Sequence, residues 1–284
     1  MTDASVPADN TPDYLRHNLA MWDERADAHA ASPDYQVGRL IDDPSHLTDV
    51  VRFDLPLLGS VEGLRTVHLQ CHIGTDTLSL SRLGATVTGL DFSAAALAQA
   101  RSLAEAAGED IDYVEGDAYS APSLLGMHKF DLVFTGIGAL CWLPSVSQWA
   151  QVVVDLLKPG GRLFIREGHP MLWSLDELRD DALVVDYAYF ETEEPIDDDE
   201  GGTYVETDVR FDNNLSHTWN HGLGEIVTAL LAVGMEITGL VEHDSVPWDA
   251  LSAGVMVKDE AGEFRLATRP ERLACSYTLQ AVKR

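Results

Sequence analysis

The chain has 284 residues, which is long enough for one large α/β domain with insertions or for two small domains. It carries 47 Asp and Glu residues against 19 Lys and Arg residues, a net charge of −28. Such a surface repels phosphate groups, so neither nucleic acids nor anionic membranes are expected as partners.

The N-terminal part is predicted to be a tail followed by a helical cap. Residues 1–12 are polar and expected to be disordered. A helix is predicted over Tyr14–Ala26, because its apolar residues fall along one side. A second helix is expected within Gly38–Leu58 and leads to the first strand. Residues 1–58 are assigned to this part.

Residues 59–168 are predicted to form a core in which strands and helices alternate. Leu78, Leu80 and Leu83 have helical spacing, and Gly84 suits a left-handed helix stop. The predicted strands are Thr66–Leu69, Ala85–Leu90, Ile111–Glu115, Phe130–Thr135 and Gly161–Glu167. This alternation is typical of a doubly wound, mostly parallel sheet.

The pattern changes between residues 169 and 219, which we assign to an inserted lid. Leu183–Phe190 and Thr203–Phe211 have high β-propensity, and the acidic segment Glu191–Gly202 between them is predicted to be a solvated turn. An inserted hairpin is therefore expected. Residues 220–284 return to the core, with a helix over Ile226–Val233 and later strands over Met235–His243 and Arg272–Val282.

The turn after the first strand lacks the G-x-G-x-x-G dinucleotide fingerprint. Its sequence, Leu69-Gln-Cys-His-Ile-Gly74, resembles the first motif of class I S-adenosylmethionine (SAM) methyltransferases, an acidic residue followed by G-x-G-x-G. His68 stands at the acidic position, and Gln70 and His72 replace the first two glycines, which is similar to a variant within this superfamily. Gly74 is retained, and we expect the backbone to pass closest to the ligand there.

Further motifs follow at the intervals of that superfamily. They are Asp91-Phe-Ser, Glu115-Gly-Asp117-Ala, Phe130-Asp-Leu-Val-Phe-Thr-Gly136 and Leu156-Leu-Lys-Pro-Gly-Gly-Arg-Leu-Phe-Ile165. The resemblance covers roughly residues 14–168. It implies a Rossmann-like methyltransferase fold of seven strands with the last one antiparallel, and SAM as cofactor.

Asp91 lies at the carboxyl end of the second strand, where a carboxylate can accept hydrogen bonds from both hydroxyls of a ribose. The resemblance implies that Phe92 packs on adenine, that Asp117 and Ala118 lie near the adenine amine, and that the N-terminal helix folds over the cofactor. The implied cofactor-binding set is Trp22, Gln70, Cys71, His72, Gly74, Thr75, Asp76, Asp91, Phe92, Asp117, Ala118, Thr135 and Gly136.

Methyl transfer from a sulfonium mainly requires that donor and acceptor be held in line. A hydroxyl acceptor also needs a base, and His169 and His221 are the candidate catalytic residues because both flank the predicted lid. Each could instead be a structural histidine. The sequence predicts transfer to an N or O nucleophile of a small molecule, and a SAM- or nucleoside-binding sensor without methyl transfer is the alternative.

The cysteines and the hydropathy indicate where the protein is expected to work. The three cysteines are far apart and odd in number, which fits a reducing cytoplasm, and no metal-ligand spacing is present, so no metal is expected. No apolar run approaches the length of a membrane span. The identity of the acceptor and the oligomeric state stay open at this level.

Overall fold

The computed structural model describes residues 11–252 and 254–284. Seven strands of this described part form one central sheet. In chain order they are β1 (Arg65–Leu69), β2 (Thr86–Asp91), β3 (Asp112–Glu115), β4 (Phe130–Thr135), β5 (Leu157–Gly168), β6 (Met235–His243) and β7 (Ser276–Lys283). Their order is β3-β2-β1-β4-β5-β7-β6, with β7 antiparallel to both β5 and β6 and the other neighbours parallel. The predicted sheet with an antiparallel last strand is confirmed.

Helices cover both faces of this sheet. They are α1 (Asp13–Ala31), α2 (Val37–Asp42), α3 (Asp49–Leu58), α4 (Thr75–Arg82), α5 (Ala94–Ala107), α6 (Ala121–Leu125), α7 (Val146–Leu156), α8 (Pro170–Trp173) and α9 (Leu223–Ala232). Leu132 and Phe134 of β4 pack towards α3 and α4, whereas Val133 packs towards α6, α7 and α9. Apolar residues therefore occupy both faces of the strand, as expected for a strand buried on both sides. Among the helices of the described ranges, none combines the length and hydrophobicity that crossing a bilayer requires.

The N-terminal cap contains one helix more than the sequence predicted. The predicted first helix lies within α1, but the stretch Gly38–Leu58 holds both α2 and α3. A new helix begins because the Thr48 hydroxyl accepts a hydrogen bond from the Val51 amide at 3.3 Å. The disorder predicted for residues 1–12 falls mainly on residues 1–10, which lie outside the described part.

The insertion contains an antiparallel pair of strands, but the predicted positions of these strands are wrong. The antiparallel pair is formed by Ile196–Asp198 and Ser216–Thr218, so one of its strands lies within the predicted turn. Tertiary anchoring explains the difference, because His217 exchanges two backbone hydrogen bonds with the side chain of Asn18 on α1, at 2.8 and 2.9 Å. β-Propensity is weak against such contacts.

A second small hairpin was not predicted. Met256–Lys258 pairs antiparallel with Phe264–Leu266 between β6 and β7. Its strands pack with α8 in a separate apolar cluster. This hairpin brings Glu263 to the C-terminal part of β5, next to Arg166.

Candidate active site

The loop between β1 and α4 keeps the backbone of a glycine-rich loop although two glycines are replaced. Gln70 and His72 have φ angles of 56° and 50°, in the left-handed region that glycine adopts most readily. The Gln70 amide group donates to the Ala139 carbonyl at 2.9 Å, while its Oε1 is buried and accepts no hydrogen bond within the described residues. An orphaned buried acceptor fits a donor group on a bound ligand.

A neutral histidine replaces the expected acidic residue at the end of β1. His68 Nδ1 lies 2.9 Å from the Thr77 hydroxyl, and burial lowers the pKa of His68 to about 3. Asp76, in the first turn of α4, places a carboxylate nearby. A Cβ atom placed on Gly136 would lie 3.5 Å from His68 Nε2 and 3.7 Å from Asp76 Oδ2. The end of β4, with the buried Thr135 before Gly136, therefore lies against this polar group.

Gly74 is required for packing, and the predicted close approach of its backbone to a ligand stays a prediction. Its φ is 77°, and a Cβ atom there would lie 2.6 Å from Tyr113 Oη and 2.7 Å from Ala100 Cβ of α5. Cys71 turns its side chain into the same α5 cluster, so only its backbone belongs to the loop surface. Thr75 is buried at the start of α4.

Asp91 lies where the sequence predicted it, at the carboxyl end of β2. Its Oδ2 accepts from the His72 amide at 2.8 Å and its Oδ1 from the Ser93 amide at 2.9 Å. Burial raises the pKa of Asp91 to about 6. Each carboxylate oxygen retains a further lone pair, so the group can still accept two hydroxyls. Phe92 follows it and is half-buried.

Asp117 has a local structural role at the end of β3. Its Oδ1 accepts from the backbone amides of Tyr119 and Ser120 at 2.9 and 3.2 Å, and its Oδ2 accepts from the Ser120 hydroxyl. It thereby caps the short turn Ala118–Ser120, in which Ala118 is buried. Any contact with an adenine amine has to share these oxygens.

Aromatic side chains from three segments meet above the loop. The Trp22 ring makes edge contacts with His72 and Trp142, with centroids 5.0 and 5.2 Å apart. His29 of α1 lies between His72, at 2.8 Å, and the Thr203 hydroxyl of the insertion, at 2.6 Å. Burial lowers the pKa of His29 to about 4 and that of His72 to about 3, so both rings are neutral near pH 7. We call His29, His72 and Thr203 the histidine link.

Sequence reasoning missed Glu167, which organises the loop after β4. This buried carboxylate accepts hydrogen bonds from the backbone amides of Gly138, Ala139, Leu140 and Gly168 at 2.6 to 2.8 Å. Burial raises the pKa of Glu167, and the four amides oppose that rise. The sequence signal that could have revealed Glu167 is a carboxylate at the end of a strand that is predicted to be buried.

Both ring nitrogens of His169 have hydrogen-bond partners within the protein. Its Nδ1 accepts from the Met171 amide at 3.0 Å, so the proton of a neutral ring lies on Nε2, which faces Glu242 at 3.0 Å. Burial lowers the pKa of His169 more than Glu242 raises it.

His221 joins the insertion to the loop after β4. Its Nδ1 lies 2.8 Å from a carboxylate oxygen of Glu191, and its Nε2 lies 3.1 and 2.8 Å from the carbonyl oxygens of Leu140 and Leu143. All three neighbours are hydrogen-bond acceptors, so each ring nitrogen faces an acceptor. The predicted cofactor residues thus lie at the carboxyl ends of β1 to β4, at the start of α4 and on α1, and the two candidate catalytic histidines follow β5.

Comparisons with known proteins agree with this geometry. Residues 67–165 match the methyltransferase domain family. The methyltransferase phqN of Penicillium fellutanum is 27% identical over 198 residues, which are 66% of this chain and 52% of that protein. The ubiquinone biosynthesis O-methyltransferase of Nitrosococcus oceani is 36% identical over 106 residues, 37% of this chain and 44% of that protein. The chain thus spans about half the length of these curated relatives.

A solved structure shares the fold. The S-adenosylmethionine dependent methyltransferase from Mesorhizobium loti superposes on this chain with a TM-score of 0.54 and 22% sequence identity. The superposition covers 81% of this chain and 97% of the Mesorhizobium loti chain. The family match begins in β1 and ends in β5, so it contains the loop after β1 and Asp91. Residues 67–165 therefore resemble a methyltransferase domain, in agreement with the sequence motifs.

Proposed function

We propose that this chain is a SAM-dependent methyltransferase that acts on a small molecule. The observation that carries the proposal is the relation of Asp91 to the loop after β1. The carboxylate is buried beneath that loop, accepts the His72 and Ser93 amides, and retains a lone pair on each oxygen. This arrangement fits the two hydroxyls of a ribose.

Residues of this chain would contact the ribose, the adenine and the amino group of the cofactor. SAM, when bound, supplies a methyl group on a positively charged sulfur. Asp91 would hold the ribose hydroxyls, and Phe92 and Asp117 would flank the adenine. The orphaned Oε1 of Gln70 would accept from the amino group of the methionine part.

The covering of the sheet edge favours a small acceptor. α1 contributes Trp22 and His29, and the insertion contributes Thr203, which together lie over the loop after β1. An enclosed site suits a small molecule and excludes water, which strengthens the electrostatic interactions within it. The net charge of −28 disfavours a nucleic-acid acceptor. An N or O nucleophile is the proposed methyl acceptor.

We also propose that the protein works in the cytoplasm. Cys71, Cys141 and Cys275 are all free thiols. Unpaired cysteines are compatible with a reducing compartment.

A binding measurement with product analysis tests the proposed function. Calorimetric titration with SAM is expected to give one site per chain, and incubation with methyl-labelled SAM and a metabolite extract is expected to release S-adenosylhomocysteine and a labelled product. Tight binding without turnover would instead support a sensor. Absence of binding would contradict both.

A further inference from the structure

One carboxylate in the interior has no hydrogen-bond partner among the residues that the structure describes. Asp54 of α3 is 1% exposed, and neither of its oxygens accepts a hydrogen bond from any described residue. Burial raises the pKa of Asp54 to about 8. An unpartnered carboxyl group in the interior is unfavourable, so its presence points to a ligand that completes it.

The cation that acts on Asp54, Arg166, does not donate a hydrogen bond to it. Arg166 of β5 lowers the pKa of Asp54, but less than burial raises it. The guanidinium of Arg166 donates to both carboxylate oxygens of Glu263, at 3.1 and 2.6 Å, and lies 3.6 Å over the ring of Phe53. Arg166 and Glu263 therefore form a neutral, bidentate pair, and Arg166 donates no hydrogen bond to the carboxyl group of Asp54.

A second carboxylate, that of Asp76, lies in the first turn of α4, directly after the loop that follows β1. Asp76 is close enough for its charge to raise the pKa of Asp54, and its Oδ2 is near Gly136 at the end of β4. Burial also raises the pKa of Asp76 itself. We call the region bounded by Asp54, Asp76, Phe53 and Gly136 the acidic chamber.

No other charged group neutralises the acidic chamber among the residues that the structure describes. Burial lowers the pKa of His243, which lies 5.0 Å from the Phe53 ring, so this histidine is neutral near pH 7. Tyr35 and Tyr204 lie near Asp76, and burial together with its charge raises their pKa, so both hydroxyls are protonated. Within the described ranges, the cation beside the two carboxyl groups of the acidic chamber is Arg166, which opposes the rise in the pKa of both but is itself paired with Glu263.

We propose that the acidic chamber binds the ammonium group of the methyl acceptor, so that the substrate is an amine and the reaction is N-methylation. The inference rests on the proposed function. An ammonium supplies the hydrogen-bond donors that both oxygens of Asp54 lack among the described residues. An acceptor that presents a carboxylate would be repelled by the two acidic groups, and one that presents only a hydroxyl would bring no positive charge to them. The amino group of SAM has Gln70 as a separate partner.

The chemistry of the transfer is consistent with this site. The ammonium gives one proton to Asp54, whose raised pKa lets it hold that proton. The freed electron pair on nitrogen forms the bond to the methyl carbon, and the bond from that carbon to sulfur breaks with its electron pair remaining on sulfur. A methylated ammonium and a thioether result, and the proton on Asp54 leaves to solvent.

Fractionation of the acceptor tests the substrate class before its identity is known. A metabolite extract at pH 7 is passed over a cation exchanger, and the retained and unretained fractions are each incubated with protein and methyl-labelled SAM. Label is expected in products of the retained fraction. Label only in products of the unretained fraction overturns the amine assignment but leaves the methyltransferase function intact. No transfer from either fraction counts against the proposed function, and the amine assignment falls with it.

Variants of the purified protein test the acidic chamber itself. With the retained acceptor, Asp54→Asn is expected to lower kcat/KM by about 30-fold or more, while the dissociation constant of S-adenosylhomocysteine stays within about twofold. Asp131→Asn, in a surface pair with Lys158, is the control and should change neither. A loss of S-adenosylhomocysteine affinity with unchanged kcat/KM would assign the ammonium to the cofactor, and no change in either would make Asp54 structural. Both results overturn the proposal.

Discussion

The ring nitrogens of His29 and His72 lie 2.8 Å apart, so α1 is joined directly to the loop that follows β1. The other nitrogen of His29 faces the Thr203 hydroxyl of the insertion at 2.6 Å. Through this histidine link, three distant segments of the chain are held together by two neutral rings. Protonation of either ring would place a charge in a buried site that has no carboxylate partner in these contacts.

The histidine link should therefore weaken in acid. The pKa values of about 4 for His29 and about 3 for His72 lie below the ordinary 6.5, so the folded protein binds fewer protons than the unfolded protein does. The contribution of the histidine link to the stability of the folded protein is complete above pH 6.5 and is lost as the pH falls towards 4. Release of the insertion, measured by limited proteolysis between pH 7.5 and 5, should increase by up to about tenfold per pH unit for each histidine.

The control for this prediction is His29→Phe. It should loosen the insertion at every pH, because the bond to Thr203 is lost, and it should flatten the dependence on pH. A wild-type rate of proteolysis that does not change across this range would contradict the role of the histidine link.

Asp91→Asn should weaken binding of S-adenosylhomocysteine tenfold or more, because a charge-assisted acceptor of two hydroxyls is removed. The amide is nearly the same size as the carboxylate and keeps one oxygen for the His72 or the Ser93 amide, so a moderate loss of stability is expected beside the loss of affinity, whereas alanine would remove both acceptors. Calorimetric titration measures the effect, and the exposed Asp112→Asn on the neighbouring strand serves as the matched control. Equal affinity of all three proteins would refute the ribose assignment.

Glu167→Gln should destabilise the loop after β4. Only one oxygen would remain to accept the amides of Gly138, Ala139, Leu140 and Gly168, so at least one buried donor would lose its partner. The free energy of unfolding should fall by about 1–3 kcal/mol in urea denaturation. Glu236→Gln, in an exposed pair with Arg284, should change it much less. Similar losses in the two variants would show that these hydrogen bonds are not required.

Much of the fold was predictable because local patterns decide it. The strand Phe130–Thr135 and the strand Met235–His243 have the predicted bounds. The first is a buried apolar segment, and the second is an edge strand that begins directly after Gly234. The position of Asp91 followed in turn, because parallel strands bring their carboxyl ends to one edge of the sheet.

The rest depends on contacts between residues that are far apart in sequence. Glu263 reaches Arg166 across 97 positions, and no periodicity predicts that pair. The environment of Asp54 was not predictable either. Its position in the helical pattern gives no indication that its carboxylate lacks a hydrogen-bond partner among the described residues. The insertion was predicted wrongly for the same reason, as its strand pairing is fixed by α1 through Asn18.

Asp54 also makes a prediction about stability that does not depend on any acceptor. Its pKa of about 8 lies above the ordinary 3.8, so the folded protein binds more protons than the unfolded protein between these values. Its effect on stability is therefore least unfavourable near pH 4 and becomes more unfavourable as the pH rises towards 8. Asp54→Asn should raise the melting temperature most at pH 8, by about 2 °C or more, and Asp131→Asn should not. A lower melting temperature for Asp54→Asn at pH 8 would show that the charge is compensated.

His169 and His221 were the catalytic candidates from the sequence, and their hydrogen bonds lead to a different expectation. A general base needs an unprotonated nitrogen within reach of the acceptor, and that nitrogen of His169 accepts the Met171 amide as the cap of α8. The nitrogens of His221 both face acceptors.

For both His169→Gln and His221→Gln we therefore expect turnover to stay within about threefold of wild type across the pH range, since a positioned base would be worth about 100-fold or more. Stability should change instead. Loss of the cap in His169→Gln should lower the free energy of unfolding by about 0.5–2 kcal/mol, and loss of the His221 bonds by about 1–3 kcal/mol. The measurements are the pH profile of turnover and urea denaturation of each variant. If turnover instead drops by about two orders of magnitude and an ionisation disappears from the pH profile, that histidine is restored as the base.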